Sequence, residues 1–198
     1  AADFGGEVIP GAVDRRRFDN RATGTVTTHY ESNTLTLGLT GNLFDNLGGG
    51  GANSASLLLT AGDLDLGASP NYAADAATAR THGGFGKLRY ALSRQQAIDA
   101  DLSLFAAWSG QWASGNLDSS EKLYLGGMQG VRAYPANEGG GSAGQMLNLE
   151  LRWRLPQGVV ATVFHDGGKV RQNVDNDFAG APVPNVFSLR GHGLSVAW

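Results

Sequence analysis

The ten residues MLNLELRWRL, positions 146–155, alternate between apolar and polar without a slip. In an extended chain, successive side chains point to opposite sides. Leu147, Leu149, Leu151, Trp153 and Leu155 therefore share one face, and Asn148, Glu150, Arg152 and Arg154 share the other. No helix segregates these residues this way, so the stretch is a strand, and its two faces meet very different surroundings. Two settings satisfy it. In a soluble sandwich the charged face meets water and the apolar face meets a second sheet. In a membrane barrel the apolar face meets lipid and the charged face lines a wet lumen.

The same period of two runs through most of the chain. NTLTLGLTG sets Leu35, Leu37 and Leu39 against Thr34, Thr36 and Thr40, and DLSLFAAWSGQW sets Leu102, Leu104, Ala106, Trp108 and Trp112 against Asp101, Ser103, Ser109 and Gln111. About eight strands follow, near 22–30, 33–43, 54–64, 82–92, 100–112, 145–155, 158–166 and 191–198. Several reach about ten residues, longer than the usual strand of a globular sheet and near what a tilted strand needs to cross a bilayer. Connections at one end are short or modest (FDNLGGGGANS, SRQQAID, LPQ), whereas those near 65–81, 113–144 and 167–190 are long. That asymmetry belongs to outer-membrane barrels. A tight YESN turn at 30–33 breaks it, because parity puts this turn among the long loops. Tyr90, Trp108, Trp112, Trp153 and Trp198 lie near strand ends or on the apolar phase, as an interfacial girdle requires. The expected fold is all-β: an antiparallel transmembrane β-barrel portion with one long loop. AADAATAR, 73–80, is the sole helix-like patch, and no internal repeat or domain boundary interrupts residues 1–198.

Composition narrows the function classes. With no cysteine, disulfides, zinc-thiolate sites and a catalytic thiol are all excluded. The net charge of −3 argues against a nucleic-acid partner. No apolar run is long enough for a membrane helix, and the opening AADFGGEVIPG is no signal peptide. His29, His82, His165 and His192 show no metal-ligand spacing. GGFGKL at 83–88 lacks the spacing and the hydroxyl residue of a phosphate-binding loop, and a strand follows it. GGGG at 48–51 is a turn, Asp63 and Asp65 are solvated residues at a strand end, and no nucleophile motif is present. The chain is expected to be no enzyme and to need no cofactor or metal.

One loop stands out. LYLGGMQGVRAYPANEGGGSAG, 123–144, is glycine-rich, yet holds Arg132, Tyr134 and Pro135 at its centre. A linker has no use for such residues. About 30 residues later VFHDGGKV, 163–170, is an apolar strand ending in an acid among glycines. The pair resembles the outer-membrane transporters of two-partner secretion, the haemolysin secretion/activation family of the Omp85 superfamily. There a long loop carries V-R-G-[YF], here Val131, Arg132, Ala133 and Tyr134, and a following strand carries F-x-D-x-G, here Phe164, Asp166 and Gly168. GQWASGNLDSSEKLYLGG before the loop follows the same family order, and the likeness covers residues 22–198. Ala133 replaces the motif glycine.

The resemblance implies a barrel of sixteen strands, preceded by POTRA domains and a plug helix. The chain then corresponds to the C-terminal half of the barrel, truncated at both ends, with two more strands expected after GHGLSVAW. Trp198, in phase with Val196 and Leu194, resembles an outer-membrane assembly signal. Location in the outer membrane of a Gram-negative bacterium follows, with lipid and a secreted exoprotein (haemolysin or adhesin type) as partners. The exoprotein crosses unfolded, without nucleotide hydrolysis.

A guanidinium folded into the lumen needs an acid partner. Asp166 shares its phase with Thr162 and Phe164, opposite Val159, Ala161 and Val163, and the family's loop motif docks on this wall motif. An Arg132–Asp166 pair is expected, with Tyr134 packed on the wall and Pro135 stiffening the tip. Lys87, Arg89, Glu150, Arg152 and Arg154 are expected to line the lumen. The alternatives are an Omp85-type assembly factor, a passive porin or adhesin barrel, and a soluble sandwich.

Overall fold

The computed structural model describes residues 3–198, so Ala1 and Ala2, where the opening stretch begins, lie outside it. Eight long strands form one antiparallel sheet: β1 (Asp3–Ala22), β2 (Thr25–Asp45), β3 (Gly51–Asp65), β4 (Gly83–Ala97), β5 (Leu102–Ala113), β8 (Ala143–Arg154), β9 (Val160–Arg171) and β10 (Val186–Ala197). Two short strands, β6 (Leu123–Tyr124) and β7 (Gly140–Gly141), pair inside the long loop, and one helix, α1 (Tyr72–Ala77), occupies the expected helical patch. Each long strand lies beside its sequence neighbour, from β1 to β10. β1 and β10 are the edges and do not pair with each other, so the eight strands form an open barrel wall rather than a small closed barrel.

Strand number matches expectation, but the first strands do not. The stretches near 22–30 and 33–43 are one strand, β2, and YESN runs through its middle. Tyr30 pairs with Phe18, and Glu31 pairs with both Arg17 and Asp65. The true reversal is Thr23–Gly24, where both residues have positive φ. The tight turn at the long-loop end therefore remains, moved to the tip of a β1–β2 ribbon that extends past the end of β3. The strand that sequence reading missed, β1, is an edge strand. Pro10 falls at its register shift between Ile9 and Ala12, a place where a missing N–H costs no ladder bond. The loop expected over 167–190 is also shorter, because Gly167–Arg171 and Val186–Arg190 pair in β9 and β10.

Register carries the apolar residues into rows across the sheet. Leu37 lies opposite Leu59, which faces Leu88, while Leu104, Leu151, Val163 and Leu194 form another row. These rows remain exposed: Leu37 and Leu59 keep 53% and 55% of their surface. A contiguous exposed leucine face is the pattern of a lipid-facing band. No helix among the described residues is long and apolar enough to cross a membrane. Connections 46–50, 98–101 and 155–159 close one end, and connections 66–82, 114–142 and 172–185 rise from the other.

Candidate functional site

Buried side chains collect on the inner face, where connection 114–142 folds back against the wall. Leu125 and Val131 from the loop meet Met146, Val170 and Leu189 from β8, β9 and β10, with Leu123, Tyr134 and Phe187 around them. The loop's shape is set by its own backbone. Val131 N–H donates to Leu125 carbonyl at 2.7 Å and Gly127 N–H to Tyr134 carbonyl at 3.0 Å. A Cβ at Gly126 would strike the Pro135 carbonyl, and one at Gly130 the Leu125 carbonyl. Glycine is needed at both positions for this turn to close.

The turn delivers Arg132 onto β9. Its Nε and Nη2 donate to the two Asp166 carboxylate oxygens at 2.9 and 2.8 Å, and its backbone N–H donates to Asp166 Oδ2 at 3.1 Å. Nη1 donates to Glu150 Oε1 at 2.6 Å. Asn148 Nδ2 completes the cradle, donating to Asp166 Oδ1 and to the Gly130 carbonyl, both at 2.8 Å. The Phe164 ring lies 3.8 Å under the guanidinium carbon. Asp166 is fully buried and Arg132 is a quarter exposed at its side chain. The Asp166 hydrogen bond holds the Arg132 guanidinium above its already high ordinary value, with Glu150 adding to this and burial opposing it. The arginine is therefore charged at every accessible pH, and a forked cation on a buried carboxylate is among the stronger polar contacts available.

Small residues make room for this arrangement. A Cβ at Gly191 would sit 2.9 Å from Ala133 Cβ and 3.3 Å from Val131 Cγ1, and one at Gly168 would sit 2.6 Å from Leu125. Gly193 lies beneath the Phe164 ring. Ala133 is not among the positive-φ residues, so an alanine is tolerated where the motif has glycine.

The remaining lumen candidates divide. Arg152 turns to Glu150, with Nε donating to Oε2 at 2.7 Å, and lies over Phe105. Lys87 and Arg89 meet the root of the loop instead of its tip. Lys87 forms an ion pair with Glu121 in which both side chains are 7% exposed. Arg89 donates to Gln111 Oε1 at 2.6 Å and to the Lys122 carbonyl at 3.2 Å. Gln111 in turn donates to the carbonyls of Glu121 and Ser142. Arg154 is exposed near the short-turn end, away from the others.

Sequence reasoning did not single out Asn148, Gln111, Glu121, Gly191 or Gly193 as site residues. Alternation could have found the two glycines, because GHG at 191–193 puts them on the inward phase shared with Leu189. Nothing in the spacing marks Glu121, which meets Lys87 only through the fold of the loop.

The profile of the family described as haemolysin secretion/activation protein ShlB/FhaC/HecB matches residues 10–191. The heme/hemopexin transporter protein HuxB of Haemophilus influenzae is 32% identical over 114 residues, which is 54% of this chain and 20% of that protein. HuxB of strain 86-028NP is 29% identical over 185 residues, covering 89% of this chain and 32% of its own length. The chain thus spans a third or less of these curated relatives. The solved structure of CdiB from Escherichia coli superposes with a TM-score of 0.75 at 22% identity, over 98% of this chain and 36% of that one, and shows the shared fold. By its profile and its relatives, the chain belongs to the haemolysin secretion/activation family of two-partner secretion transporters in the Omp85 superfamily.

Proposed function

We propose that the chain forms part of the wall and the inner loop of an outer-membrane pore that passes an unfolded secreted partner protein. The loop tip stays locked to the wall by Arg132 and Asp166. The observation that carries this reading is the buried Asp166 carboxylate, which receives both the backbone N–H and the guanidinium fork of Arg132. A loop that only decorated a channel would not place an ionised pair there, since burying a carboxylate without matched donors costs several kcal/mol. Mixed charges beside it, Glu150 and Arg152, suit transient contacts with a hydrated extended chain. No catalytic step is assigned to any residue.

The test is export by the full-length parent in cells, comparing wild type with Arg132→Glu, Asp166→Arg and the double exchange. Insertion is followed in parallel by heat-modifiable gel mobility. Each single variant should insert and fail to export, and the exchange should recover part of the export. Full export by all three variants would overturn the lock and leave a passive porin. A wild-type parent that exports nothing but supports insertion of other barrels would point to an assembly factor.

A further inference from the structure

The outer face of β8–β10 carries a feature that the pore reading leaves unused. Lys169 and Arg171 are exposed, lie two apart on β9 and share the outward phase with Val163. Same-face neighbours along a strand are about 7 Å apart. Among the described residues neither forms a salt bridge or a side-chain hydrogen bond. Their register partners on β8, Gln145 and Ala143, carry no charge, and no carboxylate occupies an outward position on any strand from β4 to β10.

This pair flanks a shallow outer cleft also lined by Tyr90, Trp112, Gln145 and Val186. Tyr90 packs against Trp108 and Trp112, each with ring centroids 4.9 Å away, and forms an aromatic shelf on the other side of the cleft. The shelf lies at the long-loop end, just above the exposed row that contains Leu92, Trp108 and Leu147. Aromatic rings ending an apolar band mark the headgroup level. A cation on the lipid face is costly at the midplane and nearly free at that level, and long basic side chains reach it by extending along their aliphatic stems. Two unpaired cations beside aromatic rings, with no acid on the outer face of β4–β10, call for an anionic partner at the membrane surface. A guanidinium two residues from an ammonium is a set of donors suited to phosphate oxygens.

We propose that this cleft binds the phosphate-bearing headgroup of an outer-leaflet lipid, with Lys169 and Arg171 on the phosphate and Tyr90 and Trp112 against the upper acyl region. The inference rests on the outer face meeting lipid with the long loops outside, and it is independent of the Arg132 site.

The probe is diphosphoryl lipid A, titrated into the delipidated full-length parent in neutral detergent and read as bound lipid by native mass spectrometry. Wild type should bind it and should discriminate against the same lipid stripped of both phosphates. Lys169→Gln with Arg171→Gln should cut affinity about thirtyfold, from roughly fivefold per cation at an anionic surface, while folding by gel mobility stays intact. Equal affinity of this variant, or equal binding of the stripped lipid, would overturn the site. Displacement by millimolar inorganic phosphate would also overturn it, by showing a free-anion site. If the parent is monodisperse in buffer without detergent and takes up none of these lipids, the membrane reading itself has failed, a result distinct from the others.

Discussion

Replacing Arg132 by alanine should loosen the tip of the loop by an amount that the geometry bounds. Asp166 accepts four hydrogen bonds, two from the Arg132 side chain, one from the Arg132 backbone and one from Asn148. The substitution removes the two side-chain donors and the balancing charge. It leaves the carboxylate buried with the other two. Breaking a buried pair by deleting one partner costs about 3–5 kcal/mol. The lower end applies, because two donors survive and the Arg132 side chain is a quarter exposed. About 3 kcal/mol corresponds to about 150-fold in the docking equilibrium. Arg132→Lys retains the charge without the fork, and should lose less. The assay is hydrogen exchange of the peptide spanning residues 128–135 in the full-length parent, since the backbone N–H of residue 132 itself donates to Asp166. Its protection should fall by about two orders of magnitude in Arg132→Ala while the β8 and β9 amides stay protected. Unchanged protection of that peptide would refute the reasoning. The apolar contacts of Leu125 and Val131 would then hold the tip unaided.

Two further outcomes are expected. Lys87→Met should expose the root of the loop, because Glu121 is left buried and unpaired, whereas Lys87→Met combined with Glu121→Leu should recover most of the loss; hydrogen exchange across residues 117–122 distinguishes the two. Gly191→Val should displace the tip without touching any charge, since even a Cβ there meets Ala133 at 2.9 Å; increased exchange at 128–135 with normal barrel insertion is the expected result, and an unmoved loop would refute the close packing.

How much of this was legible in the sequence depended on which face a strand exposes. β8 could be read completely, because outward leucines and inward charges alternate along it. β1 could not. As an edge strand it tolerates Pro10 and a bulge, and DRRRFDNR breaks the alternation where β1 and β2 rise as a ribbon past the end of β3. There Arg15 and Arg17 pair with Glu31, and Phe18 stacks on Tyr30, contacts that obey no lipid-facing pattern. YESN looked like a turn because tyrosine, glutamate, serine and asparagine in sequence are common in turns. In the fold Glu31, Ser32 and Asn33 pair on both sides of β2 instead, and Tyr30 pairs with β1. At the site, Arg132, Asp166 and Glu150 were visible as charges placed on inward positions. Glu121 was not, because its contact with Lys87 depends on how connection 114–142 turns, and local patterning does not encode that path.

The same dependence explains why the loop needs both glycine and hydrophobic bulk. A barrel wall with a wet interior has no second sheet to pack against, so its inward side chains cannot build a core alone. Here Leu125 and Val131 supply the missing volume, and Gly168 and Gly191 leave a trough on β9 and β10 for them and Ala133 to fill. Burying a leucine or a valine contributes about 1.5–3 kcal/mol, comparable to the cost of deleting Arg132 from beside its buried partner. Apolar packing is non-directional, so it favours a docked loop without fixing its register. The forked arginine is directional and fits one position over Asp166 and Phe164. In the proposed lock the two contributions are therefore not redundant: the hydrophobic patch would hold the loop against the wall, and the ion pair would set where on the wall the tip rests.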